Sequence, residues 1–125
     1  MIKYCLATLV FITATTAAFG EQKYNPHTNR WETTKPNSTL QYNPQANDWS
    51  YAQPGSRPSY NAMENDWELA RPNATNKYNS LQDRWELTEP DSQLKYNSYE
   101  NEWEYADPDA QPEYNPYEDR WEYAE

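Results

Sequence analysis

Aromatic and polar positions alternate along this chain in a pattern that returns at every eighteenth position from Tyr24 onward. Each unit has a Tyr followed by Asn, and a Trp lies seven residues after that Tyr. No insertion or deletion shifts the register, so the chain is an array of six tandem repeats. The Tyr and Trp of successive units are Tyr24 and Trp31, Tyr42 and Trp49, Tyr60 and Trp67, Tyr78 and Trp85, Tyr96 and Trp103, and Tyr114 and Trp121.

Each unit has the turn chemistry of a short β-hairpin. Pro at the second position of a type I turn is favoured because its φ angle is already set, and Pro26 takes that position in the first unit. The loop ends on Asn or Asp, the residue types other than Gly that best tolerate a left-handed backbone. A four-residue loop over 26–29 then places Tyr24 opposite Trp31. We therefore predict six hairpins in which the Tyr–Trp pairs of the first four units are structural.

Neighbouring positions support the same register. Lys95 lies opposite Glu104 on the face away from the rings, and Leu94 lies opposite Tyr105 on the ring face. Opposite charges thus meet on one face and apolar groups on the other. A slip of one residue would destroy both patterns.

The connections between units, such as 90–93, also have type I turn chemistry, which would place Tyr42 opposite Thr33 and continue the sheet. The predicted fold class is therefore all-β, with tandem hairpins over residues 21–125. An antiparallel meander, an open stack or solenoid, and a closed barrel all remain open. The scarcity of aliphatic residues and the high charge are also compatible with partial disorder.

The string Tyr-Asn-Pro-x-x-Asn-x-Trp, present with Asp in place of the second Asn as Tyr114 to Trp121, resembles the last hairpin of a kelch repeat over about nine residues per unit. That resemblance implies the hairpin. In layout, the array is similar to the aromatic hairpin repeats of cell-wall-binding and choline-binding proteins.

Residues 1–20 have the pattern of a secretory signal peptide. Lys3 supplies the positive charge, positions 6–16 are apolar or small, and Ala18 and Gly20 suit a cleavage site. This segment is too short for a lasting membrane span, and strands of about five residues are shorter than the 9 to 11 that a crossing strand needs. We expect a secreted protein, extracellular or periplasmic, that does not span a membrane.

Beyond position 20 the chain has 9 basic and 20 acidic residues, a net charge of −11. There is no basic stripe to meet phosphates, so no nucleic acid partner is expected. His27 is the single His and the repeats contain no Cys, so neither an enzyme nor a cofactor or metal is expected. One carboxylate follows each Trp in most units, as at Glu68 and Glu86, which suits solvation of a strand face.

Two functions fit these features. The first is a structural or protein-interaction array in which the rings are core or join one chain to another. The second is a module that binds carbohydrate, cell wall or a quaternary amine through Tyr and Trp faces. The partner is then a glycan, a cell-surface polymer, a protein or a second copy. The last two units are richest in Tyr, so the predicted binding residues are Tyr96, Tyr99, Trp103, Tyr105, Tyr114, Tyr117, Trp121 and Tyr123.

Overall fold

The computed structural model describes residues 20–125, and the predicted signal peptide over 1–20 lies almost wholly outside them. Those residues form twelve strands and no helix, so the all-β prediction is confirmed. No helix among them is long and apolar enough to span a membrane. The strands are β1 (Glu21–Asn25), β2 (Arg30–Thr34), β3 (Thr39–Asn43), β4 (Asp48–Ala52), β5 (Arg57–Asn61), β6 (Asp66–Ala70), β7 (Thr75–Asn79), β8 (Arg84–Thr88), β9 (Gln93–Asn97), β10 (Glu102–Ala106), β11 (Glu113–Asn115) and β12 (Arg120–Glu122).

Consecutive strands pair into six antiparallel hairpins, numbered 1 to 6 along the chain. The predicted register is confirmed, since Tyr24 lies opposite Trp31 and every other unit repeats that pairing. Lys95 lies opposite Glu104, and Leu94 lies opposite Tyr105. The turn and strand chemistry of one unit is therefore sufficient to set the register of its hairpin.

The last loop residue of every hairpin has a left-handed backbone, with φ between 53° and 57°. Each of these residues is Asn or Asp, which tolerate this region better than other residues that have a Cβ atom. The side chains that meet this requirement are those of Asn29, Asn47, Asn65, Asp83, Asn101 and Asp119.

The connections between hairpins differ from the prediction. They are tight turns, as expected, with Ser92 N donating to Glu89 O at 3.0 Å. The strands on either side of each connection do not pair, because the six hairpins are six separate two-stranded sheets. The predicted pairing of Tyr42 with Thr33 is therefore wrong, and neither a continuous meander nor a closed barrel forms from the described residues. The hairpins are separate, as in the predicted stack, but the stack is not open, because its two ends are in contact.

That stack closes into a ring. Asn115 Nδ2 of hairpin 6 donates to Trp31 O of hairpin 1 at 3.0 Å, the same contact that joins every other pair of neighbours. The closing interface has two further backbone bonds, from Lys35 N to Glu125 O at 2.9 Å and from Glu125 N to Thr33 O at 3.4 Å. These two bonds form one parallel bridge between the end of the chain and hairpin 1.

Little of the buried material is aliphatic. The buried hydrophobic residues are Ala52, Ala70, Ala106 and Tyr123, while the side chains that are nearly inaccessible to solvent are Asn25, Asn43, Asn61, Asn79, Asn97 and Asn115. Buried amides require hydrogen-bond partners. The ring therefore depends on hydrogen bonds between hairpins more than an ordinary β-sandwich does.

We predict that the number of units is fixed. Deleting residues 60–77 leaves five hairpins, whose curvature no longer brings hairpin 6 against hairpin 1. Loss of one interface should cost several hydrogen bonds and lower the Tm by at least about 10 °C, measured by circular dichroism. The control replaces residues 60–77 with a second copy of 78–95 and keeps six units. A five-unit chain that is as stable as this control and is monomeric would show that closure contributes nothing.

Candidate functional site

The Asn that follows each unit's Tyr has two roles. Its Oδ1 accepts from the backbone N–H two residues later, at 3.0–3.2 Å, and so holds its own loop. Its Nδ2 donates to the Trp carbonyl of the next hairpin at 2.9–3.1 Å in all six interfaces. One buried amide thus defines both a loop and an interface.

The Glu that follows most of the Trp residues has a role at this amide, because it accepts a hydrogen bond from the second amide proton. Asn79 Nδ2 also donates to Glu86 Oε2 at 3.2 Å, and the same bond forms at two other hairpins. These carboxylates are half-buried between hairpins, so the prediction that they merely solvate a strand face is wrong. Burial raises the pKa of Glu68 and of Glu104, although an Asn hydrogen bond opposes the shift in each.

The lysines on the polar face do not form the ion pairs that their register suggests. Lys77 lies opposite Glu86, but its Nζ donates to the carbonyls of Glu89, Pro90 and Ser92, at 2.8–3.2 Å. Its ammonium also lies 5.6 Å from the ring centroid of Tyr105 in the next hairpin. Lys23 and Lys95 make the equivalent contacts to their own turns and to the rings of Tyr51 and Tyr123.

The Tyr and Trp rings of each unit pack against each other. Their centroids are 5.2–5.4 Å apart and their planes are tilted by 40–46°. Each of the six Tyr side chains is exposed, and its hydroxyl donates to the Asn or Asp that ends the loop. Where that acceptor is Asp83 or Asp119, the hydrogen bond raises the pKa of Tyr78 or Tyr114.

The loop of each hairpin reaches the Trp of the next hairpin. Tyr99 stacks on Trp121 with centroids 3.9 Å apart, and Tyr117 stacks on Trp31 at the same distance across the closing interface. His27 stacks on Trp49 in the first interface. Three loop carboxylates also accept from the backbone N–H of a Trp in a neighbouring hairpin: Glu64, Glu100 and Glu118.

The predicted binding residues are distributed over several interfaces. Tyr99, Tyr114 and Trp121 come together between hairpins 5 and 6. Tyr96 is paired with Trp103 within hairpin 5, and Tyr117 lies instead on hairpin 1.

Two members of the predicted set lie inside interfaces. Tyr105 donates its hydroxyl to Tyr78 O at 2.9 Å, and Tyr123 donates to Tyr96 O at 3.2 Å. Tyr123 is buried, and this burial raises its pKa. Tyr96, Tyr99, Tyr114 and Tyr117 are the predicted residues that remain well exposed.

A cavity of about 510 Å³ is lined by residues of hairpins 1 to 5 and by Ala124 and Glu125, which follow β12. Its wall includes Glu32, Glu68 and Glu86, and Glu125 lies among them. Burial, together with the neighbouring carboxylates, raises the pKa of Glu125 to about 7. Within residues 20–125, no group of three or more His, Cys, Asp or Glu side chains is arranged to hold a metal ion.

The spacing between residues of neighbouring units contains evidence for the interface that inspection of one unit at a time does not reveal. Lys23, Lys77 and Lys95 precede Tyr51, Tyr105 and Tyr123 at one constant spacing. At that same spacing, the units that have Gln41 and Ser59 in the lysine position have Leu69 and Leu87 in place of Tyr. The spacing is longer than one unit, so it joins neighbouring hairpins. The co-occurrence of Lys and Tyr in the sequence therefore indicates that these two positions of neighbouring hairpins are in contact.

We predict that the buried amide cannot be replaced by a carboxylate. Asn79→Asp keeps the loop acceptor but loses the donor to Trp103 O and places a charge beside Glu86. The expected cost is about 2–4 kcal/mol of unfolding free energy, measured by urea denaturation at pH 7. Asn73→Asp, on an exposed turn, is the matched control. Equal stability of the two variants would contradict this role.

We also predict that the ring becomes more stable as the pH falls from about 7 toward 4.5. The raised pKa of Glu125 means that the folded ring binds its proton more tightly than the unfolded chain does, so this stability is lost as the pH rises through about 7. Glu125 is nevertheless exposed to solvent, so the effect should be small.

The Glu125→Gln variant should have a higher Tm than the wild type at pH 8, and the difference should vanish near pH 4.5. Asp91→Asn, on an exposed turn, controls for the loss of one negative charge. A difference that is constant with pH would show that Glu125 does not titrate in this range.

No protein-family model, curated protein or solved structure matches this chain. The kelch-like string therefore supports the hairpin and assigns no function. The candidate sites are identified by their geometry alone: the exposed loop side of the ring and the interfaces between hairpins.

Proposed function

We propose that this chain is a secreted, non-enzymatic protein-interaction ring that binds a protein partner through its loop side. This proposal rests on a set of exposed apolar and aromatic side chains, here called the loop rim. Its members are Tyr24, Tyr42, Tyr60, Met63, Tyr78, Leu81, Tyr96, Tyr99, Tyr114 and Tyr117. Exposed apolar patches on soluble proteins mark interaction sites, and Tyr and Met are enriched in protein interfaces.

The differences between the loops favour a protein over a repetitive polymer. The residue three positions after each Tyr is His, Gln, Met, Leu, Tyr and Tyr in successive units. A polymer of identical sugars would be bound more efficiently by six identical loops. Distinct side chains on a common ring suit a folded partner that contacts several loops in different ways.

A glycan partner is the second candidate, and the exposed Tyr rings favour it. Each ring is partly exposed and its hydroxyl is already hydrogen-bonded, a combination that suits stacking on a sugar. The absence of a basic stripe in the sequence restricts such a glycan to neutral or cationic types.

We predict that two rim substitutions abolish partner binding without unfolding the ring. Met63→Ser and Leu81→Ser together remove two side chains that are 58% and 54% exposed, so stability should change by less than about 0.5 kcal/mol. Binding is measured by cross-linking and affinity capture from the extracellular fraction of the host. The capture should fall tenfold or more, while Asn73→Ser with Asp91→Ser, on the opposite turns, should leave it unchanged.

A glycan array with the same variants separates the two candidates. Retention of specific glycans by the wild type, with no protein captured, would replace the protein partner with a carbohydrate. Equal capture by wild type and rim variant would show that the loop rim is not the binding surface.

A further inference from the structure

Three interfaces of the ring are ammonium-binding sites that the chain's own lysines fill. In hairpin 4, the Nζ of Lys77 donates three hydrogen bonds, to the turn carbonyls of Glu89, Pro90 and Ser92. The ring of Tyr105 covers it from the next hairpin. Hairpins 1 and 5 repeat this arrangement around Lys23 and Lys95. The converging carbonyls of such a turn are here called the turn cradle.

Hairpin 3 has the same turn but no lysine. Ala74 N donates to Arg71 O at 2.9 Å, as in the turns that hold a lysine, and this turn has no left-handed residue. Its cradle is therefore formed by the carbonyls of Arg71, Pro72 and Ala74. The residue in the lysine position is Ser59, whose Oγ donates to Arg57 O instead.

The other hairpins without lysine are not equivalent. The turn of hairpin 2 contains Gly55 with φ of 84°, and Gln41 Nε2 donates to the carbonyls of Ala52 and Gln53 there. In hairpin 6 the lysine position is taken by Glu113, and Glu125, which follows its last strand, hydrogen-bonds to hairpin 1. Among the described residues, the cradle of hairpin 3 is thus the one in the lysine-binding conformation that no side-chain donor reaches.

Acceptors and negative charge accumulate around this cradle. Glu68 lies opposite Ser59, where Glu86 and Glu104 each have a lysine opposite. Burial and three neighbouring carboxylates, Asp66 first among them, raise the pKa of Glu68. In hairpin 4, Asn76 donates through Nδ2 to Asn61 Oδ1 of hairpin 3 at 3.0 Å, and its own Oδ1 is buried with no donor among the described residues.

Two arginines lie near this cradle. Arg71 Nη1 donates to Gln53 Oε1 at 2.9 Å and lies 3.8 Å from Glu89 Oε1. Its guanidinium group is therefore held by side chains of the two neighbouring turns. Arg57 is exposed at the start of β5 and forms no ion pair with Glu68 among the described residues. Neither arginine donates to the carbonyls of the cradle.

We propose that the cradle of hairpin 3 binds a primary ammonium group carried on a flexible alkyl chain. The alkyl chain would follow the path that the lysine stem takes in hairpins 1, 4 and 5, over Ser59 and against Leu87, which replaces the covering Tyr. The N–H donors would meet the carbonyls of Arg71, Pro72 and Ala74, and the charge would lie near Glu68. The source is either a lysine of a partner protein or a small soluble amine. This site is independent of the loop rim.

The test compares three probes of similar size on the full ring at constant ionic strength. n-Butylammonium has the charge, the donors and the alkyl stem, whereas tetramethylammonium lacks donors and n-butanol lacks charge. We expect n-butylammonium alone to raise the Tm of the wild type with a saturable dependence on concentration. An equal effect of tetramethylammonium would show mere charge screening and would overturn the proposal.

Two variants assign the effect to the site. Ser59→Lys supplies an internal ammonium, so it should raise the Tm without probe and reduce the affinity for n-butylammonium at least tenfold. Lys95→Ser opens a second cradle, so its lowered Tm should be partly restored by n-butylammonium. An undiminished response of Ser59→Lys to n-butylammonium would place binding elsewhere and overturn the proposal.

The source of the ammonium is distinguished by calorimetry with cadaverine and with the peptide acetyl-Gly-Lys-Gly-amide. Tighter binding of the peptide assigns the site to a partner's lysine, and tighter binding of cadaverine assigns it to a soluble amine. Binding of neither, or equal binding to Ser59→Lys, would contradict the site. Loss of partner capture by the rim variant has no bearing on this titration, so the two proposals fail separately.

Discussion

The side-chain amide of the Asn after each Tyr determines the rest of this structure. It is buried, so its oxygen and its protons need partners, and each of the six finds them in its own loop and in the Trp carbonyl of the next hairpin. A lone two-stranded hairpin is marginal in water. The amide contact converts six marginal hairpins into a ring in which each one satisfies the next, and Asn115 and Trp31 complete it.

That contact determines the environment of the two faces of each hairpin. The polar face is covered by the ring face of the next hairpin, so its charges are constrained. Lysine ammonium groups go to turn carbonyls and Tyr rings, and glutamates such as Glu86 accept from the buried amide. The result is an interface made of hydrogen bonds and aromatic rings, which a chain with hardly any aliphatic residues can build.

The repeated residues and the variable residues lie at different positions of each unit. The elements common to all six units, namely the Tyr–Trp pair, the buried Asn and the left-handed loop residue, hold the ring together. The differences between units lie at the loop tips, such as Met63 and Leu81, and at the lysine position, where hairpin 3 has Ser59. Positions that the ring leaves free to vary are where specific recognition can develop.

The sequence by itself determined the period, the hairpins and their register. These depend on contacts within a single unit, where turn chemistry and the alternation of two faces admit one solution. Only the tertiary structure decided that neighbouring hairpins stack instead of pairing edge to edge, and that the sixth meets the first. It also showed that Tyr105 and Tyr123, two of the predicted binding residues, lie in interfaces between hairpins. Those outcomes depend on the angle between successive hairpins, which is set by many contacts between one unit and the next. A pattern read one unit at a time contains no information about that angle.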